Sequence, residues 1–225
     1  MTILLNGLER REFEKVYQAL KIHPLWHMEN IFHQKTFERS EFEKCGQVFY
    51  TRNPRPNRLS VATHEAAHAL VLMATHQRVD SAEIDIENGG ELLGIVRTGG
   101  ECKDLSGGQL TEHKAGIPSK PLIVMDILVQ SAGFIGESLV GRKTGAYHEK
   151  FLVFCQSCYL DDKDGLEPMT SWKHYIAWAK QIIKINEILF WRTADELLKN
   201  SKLSNEFINL LHSAIKKESV HKFFN

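Results

Sequence analysis

The chain has 225 residues, 43% of them hydrophobic and 25% charged, enough to bury one good core with a small appendage. Lys plus Arg and Asp plus Glu both number 28, so the formal net charge is zero and there is no basic surplus of the kind nucleic-acid binders carry. Four cysteines, Cys45, Cys102, Cys155 and Cys158, and an N-terminus whose short apolar run meets charges at once argue against a secreted disulfide scaffold, so a cytoplasmic protein with free thiols is expected.

In chain order, residues 1–50 read as an N-terminal helical arm, with Leu8, Phe13, Val16, Tyr17 and Leu20 at roughly helical spacing. Pro54 and Pro56 then break any helix, which makes residues 51–58 a linker and starts the main domain, 59–217, at Leu59. Leu59 to about Thr75 is rich in Ala, Leu and His and predicts a helix. Ser81 to Ile86 and Leu93 to Val96 alternate in polarity around Gly89-Gly90, which predicts a small hairpin. Residues 99–120 hold five glycines and a proline without apolar periodicity, so a mobile surface loop is expected.

Pro121 to Val140 predicts a helix. It is the most apolar stretch, but Asp126, Gln130 and Glu137 interrupt it at a spacing that suits a buried helix, so no membrane partner is expected. Further helices are predicted from Tyr147 to Leu160, Ser171 to Asn200 and Ser204 to Lys217, with a turn over Asp161–Gly165, Ser204 as an N-cap and a tail from residue 218. The fold class is therefore mainly α (α+β), helical with a small β hairpin.

His64-Glu65-Ala66-Ala67-His68 forms an H-E-x-x-H motif inside the first of these helices. Residues four apart on a helix share a face, so both imidazoles can reach one ion at Zn–N distances of about 2.0–2.1 Å. Glu65 follows the first histidine, so its carboxylate can lie beside the metal's open position and serve as general base toward a zinc-activated water. A catalytic zinc needs a third protein ligand. Val71 and Ala74 occupy the glycine and histidine slots of the extended H-E-x-x-H-x-x-G-x-x-H pattern, so that ligand comes from a distant segment. The candidates are His113, Glu137, His148, Glu149 and His174.

Thr63-His-Glu-Ala-Ala-His-Ala-Leu-Val71 resembles the zinc motif of the FtsH-type proteases. Gly90-Glu-Leu-Leu-Gly94 resembles that family's G-x-A-L-G, and Ala132-Gly-Phe-Ile-Gly-Glu137 its A-G-R-A-A-E. Thr144-Gly-Ala-Tyr-His-Glu149 resembles T-G-A-x-N-D, whose aspartate is the family's third zinc ligand. The four motifs keep their order, and the resemblance covers about residues 59–215. It implies a helical zinc-peptidase domain with a hairpin beside the active-site helix, Zn2+ as cofactor, and Glu149 as third ligand with His148 as the alternative. It also places Glu137 near the site, orienting a ligand or supporting helix packing.

Ala67 stands where the family has glycine, and Glu149 where it has aspartate. No G-x-x-x-x-G-K-[ST] phosphate loop is present, which implies the protease domain without its ATPase. The expected substrate is accordingly a peptide or an unfolded segment, cleaved without ATP unless a protein partner unfolds it. The strand near Ser81–Ile86 is expected to take substrate by strand addition, with loop 99–120 bordering the cleft.

Two further functions fit the same residues: a catalytically silent relative serving as a binding or regulatory module, and a zinc hydrolase of a non-peptide amide. Cys155 and Cys158 lack a second pair and read as core residues, as do Trp172, Tyr175, Trp178 and Ile182 at helical spacing. Cys102 and His113 could cap the metal from the loop.

Overall fold

The computed structural model describes residues 57–88, 91–99, 120–141, 147–167 and 169–216, and their side chains except those of 86–88, 91–93, 147, 148 and 151. The expected N-terminal arm, the loop at 100–119 with Cys102 and His113, and the tail lie outside these residues. Among the described residues the fold is mainly helical with one two-stranded antiparallel sheet.

Helix α1 spans Arg58–Ala74, and its Ala, Leu and Val side chains are buried on nearly every face apart from the exposed Leu59. It starts one residue before the expected Leu59 because Asn57 caps it: the Asn57 Oδ1 accepts from the Ser60 amide at 2.8 Å. At the other end His76 takes φ 65°, and the amides of His76 and Gln77 donate back to the Met73 and Leu72 carbonyls. That pair of bonds is a Schellman stop, reached here without glycine.

Strand β1 (Val79–Asn88) and β2 (Glu91–Thr98) form the expected hairpin across Gly89-Gly90. The pairing slips at Asp80 and again at Asp85. The first slip changes the phase of the strand, so Val79 and Ala82, three apart, both turn inward with Ile84. Asp85 sits at φ 67°, a region aspartate tolerates better than most residues. Arg58 Nε bonds its carboxylate at 2.9–3.0 Å, which ties the bulge to the start of α1.

The other side of β1 is occupied as well. The Ile84 amide donates to Ser201 at 2.7 Å, and the Leu203 amide donates to Ala82 at 2.9 Å. Over Ala82–Ile84, then, β1 is hydrogen-bonded on both edges, to β2 and to residues 201–203. This overturns the expectation that the strand around Ser81–Ile86 takes substrate by strand addition. The edge left unpaired among the described residues belongs to β2.

Helices α2 (Lys120–Leu139), α3 (Tyr147–Lys163), α4 (Trp172–Ile185), α5 (Glu187–Asn200) and α6 (Asn205–Ala214) complete the fold. Helix α1 packs on α2, α4, α5 and both strands, and α2 packs on α3 and α4. By length and composition α2 is apolar enough to cross a membrane, but most of it is buried within the chain.

Two boundaries differ from expectation. Helix α3 runs on through Asp161–Lys163, where a turn is predicted. The buried Asp161 carboxylate then accepts from the Ser171 amide at 3.2–3.3 Å and so serves the start of α4. The single helix expected over 171–200 is two, broken at Asn186. Its buried amide donates to the Ile182 and Lys216 carbonyls and accepts from the Lys216 amide at 2.8 Å. The side chain thereby pins the segment after α6 into the α4–α5 corner. Ser204 caps α6 as expected, accepting from the Phe207 amide. Cys155, Cys158, Trp172, Trp178 and Ile182 are buried in the core, with Tyr175 partly covered.

Candidate metal centre

Three helices converge on one point. His64 and His68 stand one turn apart on α1, and Glu149 sits in the first turn of α3. The three bring their ligand atoms into one cluster: His64 Nε2 to His68 Nε2 is 2.9 Å, His64 Nε2 to Glu149 Oε1 is 2.9 Å, and His68 Nε2 to Glu149 Oε1 is 3.0 Å.

The far side of each ring decides what this triangle is. His64 Nδ1 lies 2.9 Å from the Glu137 carboxylate, and His68 Nδ1 lies 2.8 Å from the Val129 carbonyl. Both partners accept, so each Nδ1 carries the proton and donates it outward. In the neutral rings each Nε2 is then a bare lone pair. With both rings neutral, two lone pairs and a carboxylate oxygen face one another at 2.9–3.0 Å. A positive charge among the three atoms, a proton on a ring nitrogen or a metal ion, relieves the repulsion of such an arrangement.

The spacing suits one. A tetrahedral zinc with bonds of about 2.0–2.1 Å separates its ligand atoms by roughly 3.3 Å, a few tenths wider than the triangle observed. The three side chains keep 12–16% of their surface exposed, which leaves the cluster open on one side.

Charge follows the same geometry. Burial pulls the His64 pKa down, but Glu149, Glu137 and Glu65 together hold it well above the usual histidine value. Burial pushes the Glu149 carboxyl up, and His64 and His68 outweigh that, holding it well below the usual carboxylate range. The carboxylates around His64 therefore favour positive charge at this point. Glu65 is buried, and burial raises its carboxyl despite the two histidines beside it.

Two glycines keep the site clear. A Cβ at Gly133 of α2 would fall 2.6 Å from both His64 Nε2 and Glu149 Oε2. A Cβ at Gly94 of β2 would fall 2.6 Å from Glu65 Oε1, so β2 runs directly past this carboxylate.

Of the candidate ligands, Glu149 joins the two histidines and Glu137 bonds the outer nitrogen of His64. His174 is exposed on α4 and takes no part in the cluster. His113 and the side chain of His148 lie outside the described residues. Sequence reasoning missed the Val129 carbonyl, because a backbone acceptor carries no residue signature. It also missed the clearance role of Gly133, signalled only by a glycine inside an otherwise apolar helix.

No protein-family model matches the chain, and no curated protein does.

Proposed function

We propose that the protein is a zinc-dependent peptidase of the H-E-x-x-H type, resembling the FtsH-type proteases in its site and acting on peptides or unfolded segments without ATP. The observation that carries this reading is the convergence of His64 Nε2, His68 Nε2 and Glu149 Oε1 on one point. Two imidazoles and one carboxylate are a donor set zinc accepts, and three protein ligands leave a position open for chemistry.

A zinc ion held there would supply a Lewis acid that makes water acidic near neutral pH and polarises a carbonyl. Glu137 and the Val129 carbonyl fix both rings in the tautomer whose Nε2 faces the centre. Glu65 follows His64 on α1 and is shielded from bulk water. Its role is to take a proton from the attacking water and pass it to the departing amine. Burial raises its proton affinity, which suits a group that must both accept and release. The edge of β2, unpaired among the described residues and passing over Glu65 at Gly94, offers main-chain hydrogen bonds to an extended peptide with little demand on sequence.

Digestion of an unfolded polypeptide by the zinc-loaded protein tests the reading. Glu65→Gln should lower the rate about 10²–10⁴-fold while the metal stays bound. Equal rates in both proteins, or no cleavage of any polypeptide by the zinc-loaded wild type, would overturn it.

A further inference from the structure

The face of α2 that meets the metal centre continues beyond it. Asp126, Gln130, Gly133 and Glu137 fall at i, i+4, i+7 and i+11, one side of the helix. Glu137 and Gly133 lie against His64, and Val129 holds His68. Asp126 is the next polar position along, about 5 Å of helical rise from Val129.

Its surroundings are unusual. Asp126 Oδ2 accepts from Gln156 Nε2 of α3 at 2.5 Å, and Oδ1 accepts weakly from Gln130 Nε2 at 3.5 Å. Among the described residues no Lys, Arg or His pairs with this carboxylate, although it lies largely inside the protein. The other end of the Gln156 amide, Oε1, is buried and has no hydrogen-bond partner among the described residues. A negative charge with no cation bonded to it, only the charge of His68 acting on it from further off, and an acceptor without a donor thus sit side by side. Each alone costs stability when buried. Asp126 and Gln130 both remain partly exposed, so a ligand from solvent meets the Asp126 carboxylate first, with the buried Gln156 amide bonded to it from behind.

We propose that Asp126 and Gln156 form a substrate subsite for a cationic group, an ammonium or a guanidinium, one turn of α2 from the metal centre. The inference rests on the peptidase reading for its substrate but on separate residues for its chemistry. A donor-rich cation satisfies both at once: its charge offsets Asp126, and one of its N–H groups reaches Gln156 Oε1. A neutral side chain leaves both unmet and is disfavoured for the same reason a hydrogen-bonding site rejects an analogue lacking the partner group. Burial raises the Asp126 carboxyl against the two amide hydrogen bonds, a cost that a bound cation relieves. The two sources of such a group are a lysine or arginine side chain and the amino terminus of a peptide.

Calorimetric binding to the zinc-loaded Glu65→Gln protein distinguishes them. One set of octapeptides, acetylated and amidated at their ends, carries a single lysine moved along the chain. A matched set has norleucine in its place, and a third peptide has a free amino terminus and no Lys or Arg. Lysine at one position should bind about tenfold more tightly than norleucine there. An advantage confined to the free amino terminus would identify that group as the occupant instead.

In Asp126→Asn the tightest-binding ratio should fall to about one, and Gln156→Met, which keeps the volume, should reduce it. Gln156→Met alone decides the matter if Asp126→Asn does not fold. Binding without any charge preference, a preference that survives these substitutions, or no binding of any peptide would overturn the subsite. The first of these outcomes, combined with cleavage by the wild type, leaves the peptidase reading standing. A charge preference in binding without cleavage leaves the subsite standing and the peptidase reading overturned.

Discussion

The interior holds polar groups in two regions, and they are treated in opposite ways. On the α4–α6 side each is matched. Asn186 donates twice and accepts once, Asp161 accepts from the Ser171 amide, and the Thr193 hydroxyl of α5 donates to the Leu189 carbonyl. On the α1–α3 side several are not. His64 Nε2, His68 Nε2 and Glu149 Oε1 point at one another, and Glu137 Oε2, Glu149 Oε2 and Gln156 Oε1 are buried without hydrogen-bond partners among the described residues. Buried polar groups cost stability unless they are paired. The matched region is therefore a fastening, and the other is the candidate site for a group from outside the chain.

Substitutions at the two regions should separate stability from ligand binding. Glu137→Ala removes the acceptor that orients His64, and zinc affinity should fall about 10–100-fold with the melting temperature of the metal-free protein little changed. Competition with a chromophoric chelator measures the first quantity and calorimetry the second. Unaltered zinc affinity would mean that Glu137 only packs helices. Asn186→Ala should do the reverse, costing about 1–3 kcal/mol in denaturant unfolding because three hydrogen bonds at a buried corner are lost, with zinc binding retained. Loss of zinc in that variant would show that the two regions are not independent.

The smallest effect concerns Asp85. The Arg58 and Ser201 hydrogen bonds hold its carboxyl below the ordinary value of 3.8. A lowered folded-state pKa stabilises the protein above the unfolded value, and that gain disappears as pH falls through the folded one. The stability difference between wild type and Arg58→Ala should accordingly be small at neutral pH and shrink further below about pH 4. A difference that grows on acidification would contradict the assignment.

Much of this arrangement is legible in the sequence because its signals are local. H-E-x-x-H brings His64 and His68 to one helix face by helical periodicity alone, and Gly89-Gly90 between alternating runs signals the hairpin. Glu149 is different. Eighty-one residues separate it from His68, and only the resemblance of Thr144–Glu149 to a known motif singled it out. What escaped the sequence depends on tertiary partners. Asn186 breaks a helix whose apolar periodicity continues across the break, since the Lys216 backbone reaches it only in the folded chain. The second edge of β1 is closed by residues 201–203, which carry no strand pattern of their own.

The central claim is that the triangle of His64, His68 and Glu149 holds a metal ion. Elemental analysis of the purified protein, with Glu149→Ala and His174→Ala beside it, tests this most directly. The account predicts about one zinc per chain in the wild type and in His174→Ala, and loss of zinc in Glu149→Ala. Wild-type protein that takes up no metal after reconstitution, or a Glu149→Ala variant that keeps it, would contradict the account.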